Sequence, residues 1–274
     1  MRIPLRVNHL ISLLFNNVIL ILLILGFSSC DFTSGLNQDI LSAQKYVDQQ
    51  NFGKAVQYYE RVLKKNPSKL IKTKINYQLA EIYYLYLDEQ VKALKYYQFI
   101  VDNVDDPLWQ VKSLEKMADI NFTFARDFPQ AINAYQILMN VKPRLKNYEF
   151  YFLRVGEAYF EMGDYNKARE IFNQIISQPT NPYYVEAYNQ MGLIEFYNKN
   201  WDKAVEYWME YLKRERRKDQ IIKVKFLIAN AYESGEKLKE AYNIYYSLLP
   251  VYPNPDVLRA RLKSLYARRV ARKR

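Results

Sequence analysis

The chain has 274 residues, with 40 Lys/Arg against 29 Asp/Glu, a formal net charge of +11, and only one cysteine and one histidine. The lone Cys30 excludes an intrachain disulfide. With His9 as the only histidine, lying in a segment that reads as a removable leader, the mature chain has no Cys/His or Ser/His/Asp centre and no zinc site of His or Cys ligands.

Residues 1–29 read as an address. Arg2 and Arg6 make a positive start, Val18 to Leu25 is an unbroken apolar run, and Gly26-Phe27-Ser28-Ser29 lead up to Cys30. The segment resembles a bacterial lipoprotein signal, in which small residues precede the lipidated cysteine; Phe27 stands where such signals usually carry Leu. The resemblance implies lipidation of Cys30 and a lipid anchor whose several acyl chains hold the protein on a membrane. An uncleaved anchor over Leu10 to Phe27 and a simple cleaved signal are the alternatives. Asp31 resembles the enterobacterial signal for inner-membrane retention, which other bacteria do not all read. The expected location is the bacterial envelope, periplasm-facing, with the outer membrane favoured over the inner. Residues 30–37 read as a short lipidated tether.

Residues 38–253 repeat. A small residue followed four later by an aromatic recurs as Ala55/Tyr59, Ala93/Tyr97, Ala131/Tyr135, Ala168/Phe172, Ala204/Trp208 and Ala241/Tyr245. Successive alanines are 38, 38, 37, 36 and 37 residues apart. Upstream of each pair is a matching segment: Ala43-x2-Tyr46, Ala80-x2-Tyr83, Ala118-x2-Asn121, Gly156-x2-Tyr159, Gly192-x2-Glu195 and Ala229-x2-Tyr232. Proline closes the unit at Pro67, Pro143 and Pro253. The stretch from Phe152 to Pro182, with Val155-Gly156-x2-Tyr159, Ala168 and Phe172, resembles the tetratricopeptide pattern. That resemblance implies an all-α fold: a superhelical solenoid of six helix-turn-helix hairpins. Each hairpin needs neighbours to bury its apolar face. The period exceeds the usual ~34 residues, so longer turns are expected within or between hairpins. Of the glycines, Gly156 and Gly192 are expected at helix contacts, and Gly53, Gly163 and Gly235 in or near turns.

Members of this family that grip peptides use a groove lined by first-helix residues. Carried onto this sequence, the resemblance implies Tyr77, Glu81 and Tyr84, then Glu115, Asp119 and Phe122, then Leu153, Glu157, Phe160 and Glu161. Asn189, Phe196 and Tyr197 follow, and then Phe226, Asn230 and Glu233. Such a groove is aromatic and mainly acidic, suited to an extended protein segment with aromatic or basic side chains, though some rings are expected to pack between hairpins. Glu157 and Glu161, one helical turn apart, read as a solvated face and not as an acid/base pair.

Residues 254–274 read as a basic capping helix. Leu258, Leu262, Leu265 and Tyr266 share one face. Arg259, Arg261, Lys263, Arg268, Arg269, Arg272, Lys273 and Arg274 stand against Asp256 alone. For an exported protein this charge suits anionic lipid, an acidic partner or the cell wall, or simply a solvated run, and not nucleic acid. A second basic run spans Lys213 to Lys218. The reading is a non-catalytic scaffold without cofactor or metal, similar in layout to envelope-assembly lipoproteins of the BamD type and to secretin pilotins of type IV pili. An adaptor for peptidoglycan enzymes is the alternative.

Overall fold

The computed structural model describes residues 32–272. Cys30 and the signal segment lie outside the described residues, as do Lys273 and Arg274. Among the described residues there are thirteen α-helices and no strand. The chain divides into two compact units, one ending at Gln110 and one beginning at Val111.

The first unit holds two helical hairpins: α1 (Phe32–Asp48) with α2 (Phe52–Lys64), and α3 (Lys69–Leu85) with α4 (Gln90–Asn103). Because α1 begins at Phe32, the expected tether is largely helix; Leu36 is already buried. The third hairpin opens with α5 (Pro107–Ile120), whose last turn widens into a π-helical segment (Asn121–Ala125), followed by α6 (Phe128–Asn140). Then come α7 (Tyr148–Glu161) with α8 (Tyr165–Ile176), α9 (Tyr184–Tyr197) with α10 (Trp201–Leu212), and α11 (Lys218–Ser234) with α12 (Leu238–Leu248). Helix α13 (Pro255–Ala271) ends the chain. The connections 141–147 and 177–183 between hairpins, and the long α1, α3 and α11, take up part of the extra period.

One turn design recurs six times. Gln50, Asp88, Arg126, Gly163, Lys199 and Glu236 each adopt positive φ, from 52° to 76°. This left-handed residue ends the first helix of its hairpin, as at a helix C-terminus. In four of the turns the next residue donates its N–H to the carbonyl five residues back, as in Asn51 to Tyr46 (2.8 Å), Asp164 to Tyr159 (2.9 Å) and Lys237 to Tyr232 (2.8 Å); in the other two, Glu89 to Tyr83 and Asp127 to Asn121, the bond spans six. In three of the turns the next residue also caps the second helix: Asn51, Asp127 and Asp164 accept from the backbone N–H of Lys54, Gln130 and Lys167. Only Gly163 among these left-handed positions is glycine. Gly53 instead lies in the first turn of α2, and Gly235 caps α11 with φ −83°.

The repeated small and aromatic residues form the core. Ala55, Ala93, Ala131, Ala168, Ala204 and Ala241 are fully buried, as are their aromatic partners or nearly so. In the first helices Ala43, Ala80, Ala118 and Ala229 are fully buried as well. At Gly156 a Cβ would meet Ile171 and Phe172 at 2.8 Å, so the two helices touch there through backbone and ring.

The last hairpin is closed by α13. Asn254 caps it, Pro255 starts it, and Leu258, Leu262 and Leu265 join Ala229, Leu238, Ala241, Tyr245 and Leu248 in one cluster. Tyr266, expected on this face, is 63% exposed instead. At 100° per residue it has rotated just past the apolar stripe that the three leucines occupy.

Candidate functional site

In the first unit, the predicted residues Tyr77, Glu81 and Tyr84 follow one side of α3 and are half-buried. Glu81 accepts a hydrogen bond from the hydroxyl of Tyr97, the buried aromatic of α4. Burial, with this carboxylate second, pushes the Tyr97 hydroxyl pKa well above the ordinary phenol range. Tyr77 packs edge-on against Tyr97 (5.5 Å) and Trp109 (5.3 Å), so it belongs to the packing. Beside these residues is a cleft of about 380 Å³ that sequence reasoning missed. Ile40 and Val47 of α1, Ile71 and Ile75 of α3, and Trp109 line it, with Asp48 and Lys74 as charged members. Its only sequence signal was the helical spacing of those aliphatics.

In the second unit the first helices are tied to one another by side chains. The Tyr151 hydroxyl and the Asn147 amide (3.2 Å) of the α7 region donate to Glu115 of α5. Arg154 of α7 lies 3.9 Å from Asp119, donates to Glu157 at 3.0 Å, and places its guanidinium 3.9 Å from the ring centre of Phe122. Gln190 of α9 reaches Glu157 (3.5 Å) and Glu186 (3.4 Å), and Asn189 donates to Glu186 at 3.0 Å. Glu161 pairs with Arg126 at 2.6 Å.

Two carboxylates in this strip titrate upward. Burial raises the Glu157 pKa against the pull of Arg154, and burial raises that of Glu186 against the amides of Asn189 and Gln190. Glu157 is therefore not on a solvated face, because α9 packs beside it. The surface is also less purely acidic than expected: Arg154 sits among the carboxylates. Arg154, Glu186 and Gln190 were missed, although the i, i+3 spacing of Arg154 and Glu157 was legible.

The predicted rings divide. Phe160 and Tyr165 meet Tyr197 at 5.5 and 6.0 Å, and Tyr197 stays 58% exposed. Phe196, its neighbour, instead packs on Trp201 (5.0 Å) and Trp208 (5.8 Å). Phe226 stacks on Tyr252 at 4.9 Å, and Asn230 accepts from the Tyr245 hydroxyl. Leu153 is buried in the core.

The basic tail turns inward in part. Arg261 (2.9 Å) and Arg268 (3.3 Å) bind Glu233, while Arg268 (2.7 Å) and Arg272 bind Glu236. The tail's basic residues, set against Asp256 alone in the sequence, are thus not all solvated: three of its arginines pair with Glu233 and Glu236 at and just beyond the end of α11. In the second basic run, Lys213 and Arg214 pair with Glu210, and Arg217 with Glu215. Among the described residues no cluster of His, Cys, Asp or Glu is arranged to hold a metal ion. No described helix is long and apolar enough to cross a membrane.

Residues 151–180 match the family model described as a tetratricopeptide repeat. No curated protein matches the chain by sequence. Among solved structures, a tetratricopeptide repeat protein from Parabacteroides merdae is similar over 85% of this chain and 88% of its own, with TM-score 0.60 and 16% identity. The C-terminal part of a repeat protein from Cytophaga hutchinsonii is similar over 80% and 84%, with TM-score 0.60 and 18% identity. PilW, described as a widely conserved type IV pilus biogenesis factor, is similar over 84% and 98%, with TM-score 0.53 and 14% identity. The chain therefore has the fold of tetratricopeptide repeat proteins.

Proposed function

We propose that this chain is a lipid-anchored scaffold of the bacterial envelope, acylated on Cys30, that binds an extended protein segment along the first-helix faces of its hairpins. The observation that carries this reading is the lateral bridging of α5, α7 and α9 through Glu115–Tyr151, Asp119–Arg154 and Glu157–Gln190. Bridges of this kind hold the surface in one conformation before a partner arrives, which lowers the ordering cost of binding. Phe160 and Tyr197 then offer aromatic anchors of the type that dominate interfaces. The carboxylates around them favour basic segments and speed encounter. The fold shared with PilW supports a role in assembling an envelope complex of the pilus kind; a β-barrel assembly complex is the other candidate.

Capture from detergent-solubilised membranes, with the native chain beside Tyr197→Ala and Glu161→Lys, tests this. A barrel or secretin component recovered by the native chain and lost with the surface changes is the expected result. A wall hydrolase in its place would favour the adaptor reading. Recovery that ignores both substitutions, yet fails on deletion of 254–274, would place binding on the tail and overturn the first-helix surface. Labelling with a fatty-acid analogue checks the anchor: the native chain takes the label and Cys30→Ser does not.

A further inference from the structure

The tail's positive charge splits into two sets once the fold is formed. Arg261, Arg268 and Arg272 turn back onto Glu233 and Glu236. Arg259, Lys263, Tyr266 and Val270 follow at i, i+4, i+7 and i+11, the spacing of a single helix face, and all are exposed. That face points away from the Leu258, Leu262 and Leu265 contacts. Asp256, at the start of the helix, pairs with Arg259 at 2.6 Å. Next to it, Arg269 lies over the ring of Tyr242 (5.6 Å), which stacks on the exposed Tyr246.

We infer that the outward face of α13 docks on an anionic lipid surface. The charge complementarity is direct: the Lys263 amine is exposed, and the Arg259–Asp256 pair is itself so exposed that Arg259 can exchange its carboxylate for a lipid phosphate. The exposed rings fit the same setting. Tyrosine has an apolar body and a polar tip, and it settles where headgroups meet acyl chains. Ala260, Ser264 and Ala267, also exposed, are small and leave the approach unobstructed. An acidic protein would satisfy the cations but leave Tyr266 and Val270 without an apolar counterpart. This inference is independent of the first-helix surface, because it uses none of its residues.

The test uses the full chain with Cys30→Ser and Ala267→Cys, so that one thiol carries an environment-sensitive fluorophore. With Cys30→Ser the leader is expected to stay uncleaved and its apolar run from Val18 to Leu25 to hold the chain on either vesicle, which flotation checks first; the probe then reports whether α13 touches the bilayer. On vesicles containing phosphatidylglycerol, a blue shift and quenching by brominated acyl chains are expected; on pure phosphatidylcholine, neither. The signal should fall to the phosphatidylcholine level at about 0.5 M NaCl, where screening is short-ranged, and in Arg259→Gln/Lys263→Gln. Tyr266→Ser should reduce the quenching. Equal signals on both lipids, no signal on either, or an unchanged double variant would overturn the inference; the second of these would point to an acidic protein surface.

Discussion

Gly192 of α9 faces the indole of Trp208 in α10 so closely that an added Cβ would lie 2.6 Å from Cδ1 and 2.7 Å from Cε2. The indole is fully buried and has no room to retreat. Ordinarily alanine is the better helix former by about 1 kcal/mol. Here the overlap wins, and Gly192→Ala should cost about 1–3 kcal/mol, seen as a lower denaturation midpoint. Gly53, in the first turn of α2, has nothing within 4 Å of its Cβ position. Gly53→Ala should therefore raise the midpoint, by about 0.5 kcal/mol. Equal effects at the two sites would refute the packing argument.

The six left-handed turn residues give a second prediction. Lys199 holds φ 61° and Gln50 holds φ 56°, both on the surface. Side chains in this region cost about 1–2 kcal/mol relative to the ordinary helical conformation, a cost that glycine avoids. Lys199→Gly and Gln50→Gly should each stabilise the protein modestly, whereas Gly163→Ala, at φ 76°, should destabilise it. Thermal unfolding of the three variants checks the signs.

Titration of Glu186 gives a third. Burial raises its folded pKa, so the ionised form is the costly one. Below the unfolded value of about 4.3 both states hold the proton and no penalty exists. The penalty sets in as pH rises and is complete above the folded value. Glu186→Gln should thus melt higher than the native chain at neutral pH, with the difference closing towards about pH 4. A difference that grows on acidification would contradict the assignment.

Neighbouring rings supply the fourth. Phe196 packs among Trp201 and Trp208, while Tyr197 is mostly exposed. Phe196→Ala should cost about 2 kcal/mol or more of stability, and Tyr197→Ala little. In partner capture the order should reverse, with Tyr197→Ala the more harmful at temperatures where both variants are folded. Urea unfolding alongside capture separates the two roles.

The register of the hairpins was legible in the sequence because each repeat buries its own small and aromatic residues against itself and its next neighbour. Ala168/Phe172 and Ala204/Trp208 announce a contact that is local in the chain, so spacing alone locates it. The capping helix was legible for the same reason, through Leu258, Leu262 and Leu265. What lay beyond the sequence depends on residues brought together from different hairpins. Glu115 and Tyr151 are 36 residues apart and Glu157 and Gln190 are 33, so the repeat period places them on neighbouring hairpins, but which side chains then meet is decided only by the packing of the first helices. Adjacent rings such as Phe196 and Tyr197 read alike until α10 packs over one of them and leaves the other uncovered. The tail shows the same limit for charge. Composition counted its arginines, but only the docking of α13 against α11 decided which of them Glu233 and Glu236 neutralise and which stay on the outward side.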